Sequence, residues 1–308
     1  MGLGEFDLIA QYFTEIGDSP SVRLAVGDDA AALELPDGHA LLVSTDTAVS
    51  GVHFLSDAPP AVIAYRAIMA AASDLAAMGA KPEGMLLALT LPEADPEWLA
   101  LFAEGVRQAS EVTRLPLIGG DTTRGPLSLT VTVLGSTPKG GFLTRSGAHA
   151  GDRLCVTGTL GDAAAGLSLL GGADTAIASA HIAFLRERYY RPTARLTLGQ
   201  ALNGVATSAI DISDGLLADA GHLARASGVG LVIDGRALPI SVALSAHPDS
   251  DQILQWALRG GDDYELLFTL PDAAALPQDC TEIGRVIEGA GVCCDAATQL
   301  TGYDHFGH

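Results

Sequence analysis

The chain has 308 residues, enough for two domains of ordinary size, and 48% of them are hydrophobic, so a sizeable core is expected. Its 37 acidic and 17 basic residues give a formal net charge of −20, which argues against a nucleic-acid partner and against anionic membranes. The N-terminal stretch MGLGEFDLIAQYF lacks the features of a secretory signal, and the four cysteines form no CxxC pair. We therefore expect a cytoplasmic protein with free thiols.

The first half of the sequence alternates helical and strand-like patterns. Apolar spacing predicts a helix over residues 4–17. Residues 61–80 carry Arg66 and Asp74 and indicate a buried amphipathic helix rather than a membrane span. Asp95 followed by Pro96 predicts the start of a helix that runs to residue 113. Strands are predicted at HALLVSTDTAV, EGMLLALTLP, LPLIGGD (short and buried) and LSLTVTVLGST.

The pattern restarts near residue 146 with a turn, a strand, a glycine turn and a helix. Further along come a helix over FLRERYYRPTARLTLGQAL, a strand–turn–helix at SAIDISDGLLADAGHLARASG, the strand VGLVID, the helix ILQWALRGG, the strand YELLFTL and a terminal β-rich piece. Alternation of this kind predicts an α/β (α+β layered) fold. We place two domains at residues 1–147 and 148–308.

Aspartates recur at the ends of apolar runs, usually beside glycine. The stretches are AVGDDAAAL, LLVSTDTAV, LIGGDTTRG, AIDISDGLL and RGGDDYELLF. The sequence contains no GxxxxGK[ST] phosphate loop, GxGxxG, HExxH or GxSxG motif. Only Lys81 and Lys139 could offer an ammonium group, so divalent cations would have to neutralise a phosphate ligand. Carboxylate and hydroxyl oxygens are ligands that Mg²⁺ accepts.

Each motif also has a structural interpretation. Asp74, within an apolar helix, needs a partner or a metal ion but could bond to neighbouring backbone. Ser213 or Asp214 could be a simple helix N-cap. The His53 side chain could be structural or could contact a substrate. Arg145 and Arg191 could bind phosphate or form surface ion pairs.

The motifs together resemble a known family. GEFDLI, GDDAA, STDTAVSGVHF, SDLAAMGA, GGDTTRG, TGTLGDAAAGL, RPTAR, DISDGL, GGDDYELLF and GYDHF occur in this order over nearly the whole chain. This set resembles the thiamine-monophosphate kinase family, which belongs to an ATP-binding superfamily shared with aminoimidazole ribonucleotide synthetase and selenophosphate synthetase. The resemblance implies an N-terminal metal- and ATP-binding domain, which pairs across a homodimer into a β-barrel-like interface, and a C-terminal α/β domain.

The resemblance also implies ATP as co-substrate, several Mg²⁺ ions and thiamine monophosphate as acceptor, in a cleft between domains. The implied metal ligands are Asp29, Ser44, Thr45, Asp46, Asp74, Asp121, Asp211 and Asp214. ATP contacts fall on Gly120, Asp121, Arg145 and Ser213, and substrate contacts on His53, Asp262 and Tyr303. Members of the family often have an aromatic residue near the nucleotide where this sequence has Ala103, and Phe102 is a candidate replacement.

The implied reaction is direct in-line transfer of the ATP γ-phosphoryl group to the phosphate of thiamine monophosphate. Asp46, Asp74 and Asp214 are the expected catalytic residues, because they would bridge metal ions near the transferred group. Two alternatives remain open. One is another ATP-dependent synthetase of the superfamily, similar to aminoimidazole ribonucleotide synthetase, and the other is a non-catalytic, acidic cation-binding protein.

Overall fold

The computed structural model of the chain describes residues 5–172 and 177–295, which form a mixed α/β structure. These residues divide into two units. Unit 1 contains the described residues up to Leu75 together with Ala80–Gly141, and unit 2 contains Ala76–Gly79 and the described residues from Phe142 onward. Within unit 2, Leu143 donates its N–H to the Met78 carbonyl at 3.1 Å.

Unit 1 is built on a four-stranded sheet. Its elements are α1 (Glu5–Tyr12), β1 (Val22–Leu24), β2 (Ala32–Leu33), β3 (His39–Val49), α2 (Pro60–Ala77, whose last two residues belong to unit 2), β4 (Lys81–Leu91), α3 (Pro96–Thr113), β5 (Leu117–Arg124) and β6 (Ser128–Pro138). The strand order is β3-β6-β4-β5. Strands β3, β6 and β4 pair antiparallel, whereas β4 and β5 pair in parallel, with α3 as the crossover between them. Strands β1 and β2 form a separate pair.

Local sequence rules account for most of unit 1. In β6, Leu129, Val131 and Val133 are buried and alternate with less buried residues, as period-two patterning requires. The predicted start of α3 is confirmed, because the Asp95 side chain accepts a hydrogen bond from the Glu97 N–H at 3.0 Å. Close helix packing occurs at Gly105, where a Cβ atom would lie 2.1 Å from the Ala61 carbonyl oxygen.

Helix α2 is long and apolar enough to cross a membrane by length and composition alone. However, 72% of its apolar window is buried inside the protein, as in the core helix of a folded domain. Ile68 and Met69 are completely buried, and Arg66 is buried too, with its Nε donating to the His53 carbonyl at 3.4 Å. The expected buried helix is therefore observed.

Unit 2 contains a six-stranded sheet. Its elements are β7 (Arg153–Thr157), α4 (Asp162–Leu170), α5 (Ser179–Tyr190), α6 (Leu196–Leu202), β8 (Ser208–Asp211), α7 (Leu216–Ser227), β9 (Gly230–Ile233), α8 (Val242–Ser245), α9 (Ser250–Arg259), β10 (Leu266–Leu270), β11 (Cys280–Ile287) and β12 (Gly291–Cys294). The strand order is β12-β9-β11-β7-β10-β8, with antiparallel pairing except between β12 and β9. The main core joins residues such as Leu154, Ile210 and Leu267 of the sheet to Leu217 and Leu223 of α7.

Two predicted helices differ from the structure. Helix α1 ends at Tyr12 rather than at residue 17, and Glu15 and Gly17 beyond it have φ values of 58° and 79°, which no right-handed helix contains. The single helix expected over residues 184–202 is two helices, because Pro192 lacks an N–H group and pushes Arg191 out of the helical region (φ −129°, ψ 69°).

A buried carboxylate in unit 1 makes stability sensitive to acid. Glu83 accepts hydrogen bonds from the hydroxyls of Ser21 and Ser136 and from Lys81 Nζ at 3.1 Å. Burial alone would raise the pKa of Glu83, but these bonds and the Lys81 charge lower it below its ordinary value of 4.5. As the pH falls, Glu83 is therefore protonated at a higher pH in the unfolded chain than in the folded protein.

We expect the Glu83 contribution to the free energy of unfolding to be complete above pH 4.5 and to be lost as the pH falls through the lower folded-state pKa. Glu83→Gln should be less stable than the wild type at neutral pH, and the difference should shrink in acid. Urea denaturation of both proteins, from neutral to acidic pH, measures this difference in the free energy of unfolding. A stability difference that grows as the pH falls would contradict the depressed pKa.

Candidate active site

Two residues of the STD motif, Ser44 and Asp46, come together with Asp74 on one side of β3. Residues 44–46 lie inside this strand. The sequence had suggested instead that they lie at its end. Because side chains alternate along a strand, Ser44 and Asp46 share one face. The Ser44 hydroxyl donates a hydrogen bond to Asp74 in the last turns of α2. Asp74 is therefore held by a side chain rather than by nearby backbone alone.

Asp46 and Asp74 form a pair of like charges. Partial burial of its carboxylate, followed by the charge of Asp74, raises the pKa of Asp46 to about 6, although the residue as a whole is exposed. Two carboxylates that repel each other, one of which accepts from a hydroxyl, are an arrangement that a hard cation would stabilise.

Thr45 and His53 are placed differently. The Thr45 side chain lies on the opposite face of β3, where its hydroxyl is 2.9 Å from that of Thr132. Thr45 is thus separated from the Asp46–Asp74 pair. The His53 Nδ1 accepts from the Val49 N–H at 3.1 Å, which orients the ring and places its hydrogen on Nε2. This bond fits the structural interpretation of His53 and leaves the ring beside the end of β3.

A second group lies along the edge strand β5. Gly120 and Asp121 are exposed, so only the first part of this strand is buried, in contrast to the fully buried short strand that was predicted. Together with Asp29, they line a cleft of about 950 Å³ in unit 1 whose wall includes Phe13 and Leu134. Asp29 is exposed, and its N–H donates to the Asp28 carboxylate at 2.8 Å.

The sheet keeps these two groups of unit 1 apart. Asp46 pairs with Val131 on β6, Val131 with Leu87 on β4, and Leu87 with Gly120 on β5. Three strand spacings therefore separate Asp46 from Gly120, about 14 Å. Within residues 5–172 and 177–295, no three acidic, histidine or cysteine side chains are grouped closely enough to form a ready-made metal site.

The DISDG motif forms the turn between β8 and α7, as its pattern predicted. Asp211 is the buried last residue of β8, opposite Leu266 on β10. The interpretation of Ser213 or Asp214 as a simple N-cap is wrong: Gly215 is the N-cap of α7, and no side chain caps it. The backbone N–H groups of Ser213 and Asp214 point instead at the carboxylate of Asp219.

Asp219 is a further residue of this turn, which the sequence motifs did not predict. It lies in the first turn of α7, is almost completely buried, and accepts from both N–H groups at 3.1 Å. Burial, followed by the charges of Asp211 and Asp214, raises the pKa of Asp219 to about 8. The available signal was an aspartate on the otherwise apolar side of the helix LLADAGHLARAS.

The GGDD segment packs against the same turn. Asp262 donates its N–H to the Ser213 carbonyl at 2.9 Å, and its carboxylate accepts from the Tyr264 hydroxyl at 3.1 Å. Asp262 and Tyr264 both have positive φ, 72° and 51°, an uncommon conformation for residues other than glycine. Asp263, between them, is buried and accepts from the Gly161 N–H at 2.7 Å.

The remaining candidates lie elsewhere. Arg145 is exposed, and its carbonyl accepts from the Ser227 hydroxyl at 3.0 Å. Arg191 forms the ion pair that its structural interpretation anticipated, with Glu187 at 3.6 Å. Phe102 is fully buried and stacked on Trp98, and Ala103 is buried as well, so neither is placed to stack on a nucleotide base. Tyr303 lies outside the described residues.

The donor set suits Mg²⁺. All the groups proposed to hold it are carboxylates or hydroxyls, with no thiolate or imidazole among them. In unit 1, the charge of Asp74 helps to raise the pKa of Asp46. In unit 2, the charges of Asp211 and Asp214 help to raise the pKa of Asp219. Each unit thus carries negative charge that a divalent cation would neutralise.

Known proteins resemble this chain over its whole length. Residues 27–137 match the family model described as AIR synthase related protein, N-terminal domain. Thiamine-monophosphate kinase of Escherichia coli K12 is 46% identical, with 99% of each chain covered. The crystal structure of thiamine-monophosphate kinase from Stenotrophomonas maltophilia K279a superimposes with a TM-score of 0.84 and 44% identity, covering 91% of this chain and 93% of that one.

A third relative is a complex with two ligands. The structure of AaThiL complexed with AMPPCP and TMP has a TM-score of 0.82 and 37% identity, with 99% of each chain covered. These similarities indicate the same family as the order of motifs along the chain.

Proposed function

The chain belongs to the thiamine-monophosphate kinase family, and we propose that it transfers the γ-phosphoryl group of ATP to the phosphate of thiamine monophosphate, giving thiamine diphosphate and ADP. The observation that carries this proposal is the hydrogen bond from Ser44 to Asp74, beside Asp46. It joins two separate motifs of the family into one acidic group. The relative that holds AMPPCP, an ATP analogue, together with TMP supports a reaction of two substrates.

Magnesium would be held by the carboxylates and hydroxyls of both units. The proposed ligands are Asp29, Ser44, Thr45, Asp46, Asp74, Asp121, Asp211 and Asp214. When bound, Mg²⁺ would offset the negative charge of the phosphates, a role that two lysines in the whole chain are too few to fill. The separation of Thr45 from Asp46, and of the β3 group from the β5 group, supports more than one ion site in this proposal.

The acceptor needs no strong general base, because its attacking oxygen is already anionic. The residues of the chain would then act by orientation and by charge, with the γ-phosphoryl group in line with the attacking oxygen. Asp46, Asp74 and Asp214 are the proposed catalytic residues. Gly120, Asp121, Arg145 and Ser213 are the proposed ATP contacts.

The proposed substrate contacts are His53, Asp262 and Tyr303. The thiazolium ring of the substrate is positively charged, and the Asp262 carboxylate provides a complementary charge. The bond from Tyr264 to Asp262 and the bond from Val49 to His53 fix the orientation of both side chains before a ligand arrives, which lowers the entropic cost of binding.

We propose in addition that the protein is a cytoplasmic homodimer in which residues 1–147 bind metal and ATP and form the interface. The outer face of β3 supports this arrangement. Leu41 and Val43 on this face are 49% and 57% exposed, which is unusual for large apolar residues on a regular strand and favours coverage by a second sheet. Neither nucleic acid nor membrane is a proposed partner.

The proposed function is tested by ADP release from ATP and Mg²⁺ with a panel of acceptors. We expect ADP only with thiamine monophosphate, and none with free thiamine or with aminoimidazole precursors. Turnover with an aminoimidazole precursor would indicate the synthetase alternative. Tight Ca²⁺ binding without nucleotide, in calorimetry, and no turnover with any acceptor would instead indicate a cation-binding protein.

A further inference from the structure

The helix α7 begins without the usual N-terminal cap. Its N-cap residue is Gly215, which has φ 109° and no side chain with which to accept a hydrogen bond. Backbone N–H groups at the start of a helix lack partners within the helix and need an acceptor from elsewhere. Asp219, the fourth residue of α7, instead reaches back past the cap and accepts from the N–H groups of the two residues before it, Ser213 and Asp214.

The two bonds of Asp219 hold one side of the DISDG turn. Its Oδ2 atom accepts from the Ser213 N–H and from the Asp214 N–H, each at 3.1 Å. The other side of the turn is held through its carbonyl groups: Asp262 donates to the Ser213 carbonyl and Tyr264 to the Ile212 carbonyl, both at 2.9 Å. The backbone between β8 and α7 is therefore fixed from two directions.

Glycine makes the contribution of Asp219 necessary. Gly215 follows Asp214 directly, and a Cβ atom there would lie 2.7 Å from the Arg259 carbonyl oxygen, so only glycine fits. Glycine has the largest conformational freedom of any residue, so it restrains the preceding Asp214 weakly. The burial of Asp219, only 3% exposed, keeps its carboxylate from turning to solvent.

We propose that Asp219 is a positioning residue, which orders the Ser213–Asp214 backbone and thereby aims the Asp211 and Asp214 carboxylates and the Ser213 hydroxyl. The inference rests on the proposed function, in which those three residues contact Mg²⁺ and ATP. Asp219 itself touches neither the substrate nor the reacting atoms in this assignment. Its role requires an acceptor oxygen at the Oδ2 position and does not require a negative charge.

This requirement distinguishes the proposal from a role as metal ligand or proton carrier. Both bonds end on a single oxygen atom, and the amide of asparagine offers one carbonyl oxygen of the same reach. Asp219→Asn should therefore keep the turn ordered, whereas Asp219→Ala removes the acceptor. A ligand or a proton carrier would be lost in both variants.

The first readout is independent of catalysis. Hydrogen exchange of the peptide that spans residues 208–218 should be as slow in Asp219→Asn as in the wild type and faster in Asp219→Ala. The control is Asp152→Ala, which removes another buried carboxylate of unit 2 that accepts from the His149 N–H at 2.9 Å and the Thr207 hydroxyl at 2.7 Å. It should leave exchange at residues 213 and 214 unchanged.

The second readout is ADP formation as a function of Mg²⁺ concentration. We expect Asp219→Ala to lose about 10–100-fold in kcat or in apparent Mg²⁺ affinity, as for other groups that orient ligands. Asp219→Asn and Asp152→Ala should keep wild-type kinetics. If Asp219→Ala does not fold, Asp219→Glu, which displaces the oxygen by one methylene, replaces it in both readouts.

Equal losses in Asp219→Asn and Asp219→Ala would overturn the proposal, because they would show that the charge is needed. Wild-type kinetics and exchange in Asp219→Ala would overturn it as well. A wild-type protein without turnover would contradict the proposed function, and the exchange readout would still decide whether Asp219 orders the turn.

Discussion

Asp74→Asn is expected to lower kcat for thiamine diphosphate formation by at least about a hundredfold, since even residues that only support metal ligands are worth 10–100-fold. Asparagine has the same shape and can still accept from the Ser44 hydroxyl, so the end of α2 should stay folded. What disappears is the negative charge beside Asp46. Initial rates over a range of Mg²⁺ concentrations measure the effect, and excess Mg²⁺ should not restore the rate.

The matched control for this experiment is Asp95→Asn, the same chemical change at an exposed position of unit 1. Asparagine caps helices about as well as aspartate, so both the melting temperature and kcat should remain at their wild-type values. If Asp74→Asn, folded as judged by circular dichroism, keeps the wild-type kcat, Asp74 is neither a metal ligand nor a catalytic residue.

Glu265→Gln is expected to destabilise unit 2 by about 3–5 kcal/mol, the usual cost of removing one partner from a buried ion pair. Glu265 is completely buried, and its two oxygens accept from Arg195 at 2.6 and 2.5 Å. Arg188 Nη2 and the Thr157 hydroxyl, at 3.0 and 2.5 Å, complete its contacts. Glutamine would leave two guanidinium groups beside an uncharged amide.

Tryptophan fluorescence during urea denaturation can report this change for unit 2 separately. The chain has two tryptophans, Trp98 in unit 1 and Trp256 in unit 2, so a Trp98→Phe background leaves Trp256 as the reporter. The control is Glu187→Gln, which removes an exposed partner of Arg191 on α5 and should cost less than about 1 kcal/mol. If Glu265→Gln also lowers the free energy of unfolding by less than about 1 kcal/mol, the buried cluster contributes little to stability.

Local patterns predicted those features that depend on neighbours in sequence. The start of α3 follows from Asp95 and Pro96, and the turn between β8 and α7 follows from an apolar strand, DISDG and an apolar helix. The break of the predicted long helix at Pro192 is equally local, because a proline ends a helix at the residue before it.

Other features depend on tertiary structure and were beyond local patterns. The separation of Asp46 from Asp121 arises because β3 and β5 are the two edges of one sheet, and strand order is not encoded in any short motif. The partners of Asp219 likewise depend on how the chain turns back at Gly215, so its sequence neighbours indicated only an ordinary helical position. Phe102 is a candidate for base stacking by sequence alone, but the core of unit 1 encloses it.

The central claim of direct phosphoryl transfer to thiamine monophosphate is tested most directly by following a label from the γ-phosphate of ATP. The wild-type protein with Mg²⁺ should place the label in the terminal phosphate of thiamine diphosphate, with one ADP formed for each labelled product. Label recovered as inorganic phosphate, or ADP formed without thiamine diphosphate, would contradict the account.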